Sequence, residues 1–246
     1  QELLQISPSR YLVPPTTQFI ANSTNPGFAG GLNQAVAEYA GPNTQYIVQL
    51  NEDMFFHPKA IPALLDVLDS DPNVGLVCAN LINGGLYDRR NPKPQDYVDF
   101  LNRHPTTPSP KFQPNITNPP WALTMETWQA LSRFDVFEPP LSFNKFLGAL
   151  DESIDPYKVG WYADWDLFNR VLLSGRRLGM EQAALAYHYD HSSGSVLDDS
   201  TPGWTNIARA NFTAKYGIST ERHRIEHLLN RPPTPPPAGY PTLKPL

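Results

Sequence analysis

The apolar run Tyr46-Ile47-Val48-Gln49-Leu50 stops abruptly at Asn51-Glu52-Asp53 and is followed by Met54-Phe55-Phe56-His57-Pro58. So short an apolar stretch, cut off by carboxylates, reads as a buried strand, and Pro58 reads as the opening of a helix. Carboxylates at the carboxyl end of a buried strand stand where open α/β sheets bind ligands. Adjacent acids in such a place repel each other unless a proton or a cation lies between them. A hard divalent ion with oxygen ligands meets that need and leaves positions for phosphate oxygens. The triplet also suits a plainer role, an acidic turn that caps the following helix.

The pattern on either side supports alternating strands and helices. A strand is expected over 17–22. Phe28, Leu32, Ala35, Val36 and Tyr39 then fall at helical spacing, ending before Gly41-Pro42. Glycines where that helix begins would let backbone amides approach an anion. A helix is expected from about Pro58 to Ser70 and a strand over 74–79. Strand, helix, strand, helix, strand argues for parallel pairing in an α/β sheet. The segment from Leu81 to Pro120 is polar and broken by prolines, and reads as a long loop. Further on, Trp121-Ala122-Leu123-Thr124-Met125 reads as a strand and 126–132 as a short helix. Residues 134–160 read as irregular. A helix over 163–175 would end at Gly175. One or two short strands are expected over 177–188, an amphipathic helix over 203–216, and a short helix through Leu229.

Composition narrows the function. The net charge is −5 over 246 residues, with no Lys/Arg-rich run, which argues against a nucleic-acid partner. The single cysteine, Cys78, excludes an internal disulfide and a cysteine-rich zinc site, and its surroundings read as core. No run of about 18 apolar residues is present, so no membrane-spanning segment is expected. Neither is a signal peptide. The expected location is cytoplasmic and soluble, with peripheral membrane attachment left open. Of the 27 prolines, many fall after Arg231, where 231–246 reads as an extended tail outside the fold. Residues 1–16 read as irregular, leaving 17–230 as the folded domain with 80–120 as a proline-rich insertion.

Several motifs together resemble the family 2 glycosyltransferases of the GT-A fold. Asn25-x-Gly27-Phe28-Ala29-Gly30-Gly31-Leu32-Asn33 is similar to the family's glycine-rich helix start, and Asn51-Glu52-Asp53 to its DxD-type metal motif. Gly148-Ala149-Leu150-Asp151-Glu152 resembles its GGFDE element, and Tyr162-Ala163-Asp164-Trp165-Asp166-Leu167 its E-D-x-D-L helix start. His188 stands 24 residues after Asp164, where the family has a histidine, and Asn211-Phe212-x-x-Lys215-Tyr216-Gly217 is similar to a later helix end. The resemblance spans roughly residues 17–217. It implies a GT-A-like, Rossmann-like central sheet, mostly parallel and flanked by helices.

The implied activity is metal-dependent, inverting transfer of a sugar from a nucleotide-diphosphate donor to a hydroxyl of a glycan or other acceptor. Asp53 and His188 are the implied ligands of Mn²⁺ or Mg²⁺, and Asp164 the base that takes the acceptor's proton. Gly30, Gly31, Asn33, Asn51 and Glu52 would hold the donor. Trp161, Trp165, Asp166 and His191 would face the acceptor. Asp166 also suits capping or orienting its helix. Trp121, Trp161 and Trp165 suit a sugar-stacking platform or, equally, the core.

The family's first strand, its following loop and its acidic turn have no counterpart before Thr17. The expectation is therefore an N-terminally incomplete nucleotide-binding half. A catalytically silent module binding glycan or protein is the alternative, and a metal-dependent hydrolase a more distant one.

Overall fold

A computed structural model of the chain describes residues 18, 20–51, 53–83, 86–87, 93–114, 120–132, 137–138, 148–155, 162–189, 204–216 and 242–243. Helix α1 (Gly27–Tyr39) starts where the Asn25 side chain accepts the Gly27 N–H at 2.8 Å. Strand β1 (Tyr46–Gln49) follows, and after the acidic triplet comes a short strand that periodicity does not reveal, β2 (Met54–Phe56). Helix α2 (Ala60–Ser70) leads to β3 (Val74–Asn83), which is longer than expected.

The segment expected to be a loop contains helix α3 (Pro94–Arg103) and strand β4 (Phe112–Pro114). Pro94 suits a first helical position, where no amide is needed. The Asp96 carboxylate accepts the Lys93 N–H at 2.9 Å, fixing the helix entry. Strand β5 (Trp121–Thr124) runs directly into α4 (Met125–Ser132), and β6 (Phe137–Glu138) comes next. Helix α5 (Ala163–Leu173) ends just before Gly175, whose φ of 78° suits a residue without a Cβ. Beyond it, β7 (Arg177–His188) is one continuous strand of 12 residues. Helix α6 (Trp204–Tyr216) and β8 (Thr242–Leu243) complete the elements. The expected helix through Leu229 lies outside the described residues. Residues 18 and 20–22 are not in a strand, contrary to expectation. Thr242 and Leu243 pair with Glu138 and Phe137, so this piece of the proline-rich tail joins a small sheet.

The main sheet has the order β1-β5-β3-β7-β2, with β4 also paired to β7. It is α/β, as expected, but its pairing is mixed. Strands β1, β3 and β7 share one direction, while β5, β2 and β4 oppose it. Among the described pairs only β3 and β7 are parallel neighbours, because β5 inserts between β1 and β3.

Side chains alternate across the sheet, as strand geometry requires. Ile47, Leu76, Cys78, Trp121 and Leu123 pack on one face with residues of α4, α5 and α6. Val77, Ala79, Ala122, Ala184 and Ala186 pack on the other face against Ala60, Leu64 and Leu68 of α2. A third cluster explains α3: Phe100 is fully buried and joins Phe55, Tyr97, Tyr187 and Tyr189 beside β2 and β7. Tertiary burial of that face, to which Leu101 also contributes, stabilises a helix whose remaining positions are mostly polar.

Candidate active site

Because β1, β3 and β7 run the same way, their carboxyl ends lie along one edge of the sheet, and the amino end of the opposed β5 joins them there. Asn51 and Asp53 follow β1, His188 ends β7, and Trp121 begins β5. Open α/β sheets bind ligands at such an edge.

Asp53 and His188 meet through strand pairing. β2 aligns Met54 with His188, and the Tyr189 N–H donates to the Asp53 carbonyl at 3.0 Å. This places His188 Nε2 3.2 Å from Asp53 Oδ1, with the two side chains 17 % and 10 % exposed. A carboxylate oxygen and an imidazole nitrogen side by side suit a shared divalent cation. They equally make an ion pair or hydrogen bond in its absence. Among the described residues no three His, Cys, Asp or Glu side chains converge as a metal cluster. Glu52 lies outside the described residues.

Asp164 occupies the first turn of α5, partly buried. The indole N–H of Trp121 donates to its Oδ1 at 2.9 Å. Burial raises its pKa to about 7, a shift that the Trp121 hydrogen bond opposes. A carboxyl group that titrates near neutrality is poised to take up a proton. The residue that opens α5 is under backbone strain: Tyr162 has φ 67° without being glycine. Its hydroxyl accepts the Arg209 Nε–H at 3.0 Å, and its ring lies against Phe212, so α6 holds it in place.

Asp166 is revised from an acceptor contact to an internal anchor. It is fully buried, and its carboxylate meets Arg170 Nε at 2.8 Å, Lys215 Nζ at 2.5 Å and the Tyr216 hydroxyl at 2.7 Å. Burial pushes its pKa up, but Lys215 and Arg170 outweigh that and hold it below the usual carboxylate range. Its place on a helix had already suggested the orienting role.

Asn33 is likewise buried and fixes a loop rather than facing a donor. Its side chain donates to the Leu150 carbonyl at 2.9 Å and to Glu152 at 3.0 Å, and accepts the Leu150 N–H at 3.1 Å. Gly30 lies beside Pro26 and Glu152, and Gly31 beside Pro26. Asn51 accepts a hydrogen bond from Gln49. Trp165 is partly buried against the core, and Trp121 is entirely buried, so Trp121 offers no face for sugar stacking. Trp161 and His191 lie outside the described residues.

An α/β sheet with these polar residues along its strand ends defines a GT-A-like domain. Residues 11–138, just over half of the chain, match glycosyl transferase family 2, and the chain belongs to that family. It is also similar to the bifunctional glycosyltransferase pgtA of Dictyostelium discoideum, with 28 % identity over 75 residues. Those residues are 30 % of this chain, and the match spans 10 % of that relative's length.

Two relationships escaped sequence reasoning. The Trp121–Asp164 hydrogen bond joins residues whose strand and helix are each legible but whose meeting is not. The structural use of Asn33 was hidden because a buried and an exposed polar residue look alike in a motif, and for Asp166, whose orienting role was legible, the distant partners Lys215 and Tyr216 were not. Helical spacing gave one signal: Asp166 and Arg170 are i and i+4.

Proposed function

We propose that this chain is a metal-dependent, inverting glycosyltransferase that uses a nucleotide-diphosphate sugar. The observation that supports it most is the gathering of the Asp53–His188 pair and Asp164 along a single sheet edge. The acceptor hydroxyl oxygen would attack the anomeric carbon as the bond to the diphosphate breaks, and the hydroxyl proton would pass to the Asp164 carboxylate. Asp53 and His188 would hold Mn²⁺ or Mg²⁺, which when bound neutralises charge on the departing diphosphate. Asn51 and Glu52 would lie beside the donor, and Trp161, Trp165 and His191 towards the acceptor, which is a glycan or another hydroxyl compound. Asn33, Gly30 and Gly31 would act on the donor by shaping the loop at 148–152.

Calorimetric titration of UDP, GDP and dTDP into the chain, with and without Mn²⁺, tests this reading. Manganese-dependent binding that disappears in Asp53→Ala is the expected result. Turnover of the matching nucleotide sugars is then followed by release of the nucleoside diphosphate. Binding of none of the three nucleotides, with or without metal, would remove the transferase reading.

A further inference from the structure

Trp121 is 0 % exposed and sits at the amino end of β5, with Gln49 of β1 opposite on one side and Cys78 of β3 on the other. Two neighbouring strands and the core around it leave the indole little freedom. Its N–H has one partner in view, Asp164 Oδ1 at 2.9 Å. No described residue donates a hydrogen bond to Asp164 Oδ2. One oxygen of the carboxylate is thus tied to a buried strand end of the sheet, while the other receives no hydrogen bond from the described residues.

We propose that Trp121 is a positioning residue for transfer: its indole N–H clamps Oδ1 of Asp164 and leaves Oδ2 to receive the acceptor's proton. This rests on the transferase reading above. It assigns Trp121 a role that sugar stacking cannot supply, since its ring is enclosed. A buried indole N–H needs an acceptor, and a carboxylate is a strong one. The clamp also keeps the carboxylate in one rotamer before substrate arrives, which lowers the cost of aligning it. The charged neighbours on its own helix, Asp166 and Arg170, are engaged with each other, and Lys215 of α6 is engaged with Asp166. Burial and the indole N–H are the influences on Asp164, with no charged side chain of β5, α5 or α6 among them.

The test replaces Trp121 in the full chain by 3-benzothienylalanine, which keeps the ring shape and deletes only the N–H. Trp121→Phe is a second variant. The pH profile of kcat is measured with the nucleotide sugar that the parent chain turns over. Without the N–H the charged carboxylate loses a stabilising partner, so the acid limb should move up by about one pH unit. Turnover near neutral pH should fall about tenfold. In parallel, the indole ¹⁵N–¹H resonance of Trp121 should titrate with a midpoint near the acid limb, and stop titrating in Asp164→Asn. An acid limb that stays in place, with activity lost only in proportion to folded protein, overturns the proposal. So does an indole signal indifferent to pH. A parent chain that turns over no nucleotide sugar, yet shows the indole titration, removes the transfer reading and the positioning role together while leaving the hydrogen bond itself.

Discussion

Lys215 Nζ lies 2.5 Å from Asp151 Oδ2, and both side chains are 1 % exposed. The same ammonium is 2.5 Å from Asp166 Oδ1, and Asp166 also binds Arg170. Arg170 in turn donates to the Ala149 carbonyl. Two carboxylates and two cations are thus buried together, balanced in charge, joining the loop at 148–155 to α5 and α6. Three motifs far apart in sequence serve this one junction. Removing one partner strands an opposite charge in the core, which costs more than the intact network contributes. Lys215→Met should lower stability by about 3–5 kcal/mol, read from the urea midpoint at unchanged m value.

Asp164 should trade stability for function. Its carboxyl titrates near 7 in the folded chain against an ordinary value of 3.8. A raised carboxylate pKa means that the folded state holds the proton more tightly than the unfolded one. The associated stability is fully present below about pH 4 and is lost as pH rises through about 7. Asp164→Asn keeps an acceptor for Trp121 and never ionises. It should therefore match the parent at pH 4 and exceed it by about 2–4 kcal/mol at pH 8. Parallel denaturation at the two pH values checks this.

The activity of the same variant should move the opposite way. With Asp164 as the base, kcat/KM of the parent rises as pH passes about 7, the value at which the carboxyl ionises. Asp164→Asn should lose about 10²–10⁴-fold in kcat across the profile, with little change in nucleotide binding. Steady-state rates and calorimetry on one preparation separate the two effects.

Asp53 and His188 should behave as a unit. Each alone, changed to Ala, should reduce kcat by about 10²–10³-fold and abolish the stimulation by Mn²⁺. The double variant should be hardly worse than either single one, because residues acting together are not additive. Independent, multiplying losses in a double-mutant cycle would speak against a shared cation.

Gly148 should admit no side chain. A Cβ there would lie 1.9 Å from Asn33 Oδ1, the atom that accepts the Leu150 N–H. Gly148→Ala should cost about 1–3 kcal/mol, because Asn33 must move and abandon buried backbone groups. Thermal unfolding of this variant beside Asn33→Ala measures both sides of the contact.

Much of the scaffold was readable along the chain. The spacing of Phe28, Leu32 and Tyr39 located α1, the run before Asn51 located β1, and Gly175 marked the end of α5. These depend on local period and backbone preference, which a few neighbouring residues set. Strand β2 and helix α3 were invisible for the opposite reason. β2 has three residues and exists because β7 pairs with it, and α3 is held by Phe100 packing among aromatics supplied by other elements.

Chemistry divides along the same line. The kinds of residue in the motifs were enough to direct attention to Asp53, Asp164 and His188 as a resemblance. Which polar side chains turn inward depended on long-range packing. Asp164 and Asp166 share a helix turn, yet the first meets an indole at the sheet edge and the second is buried among Lys215, Arg170 and Tyr216. Residue order fixes chemistry and local period. Burial and partnership depend on which distant element arrives, and no local pattern contains that information.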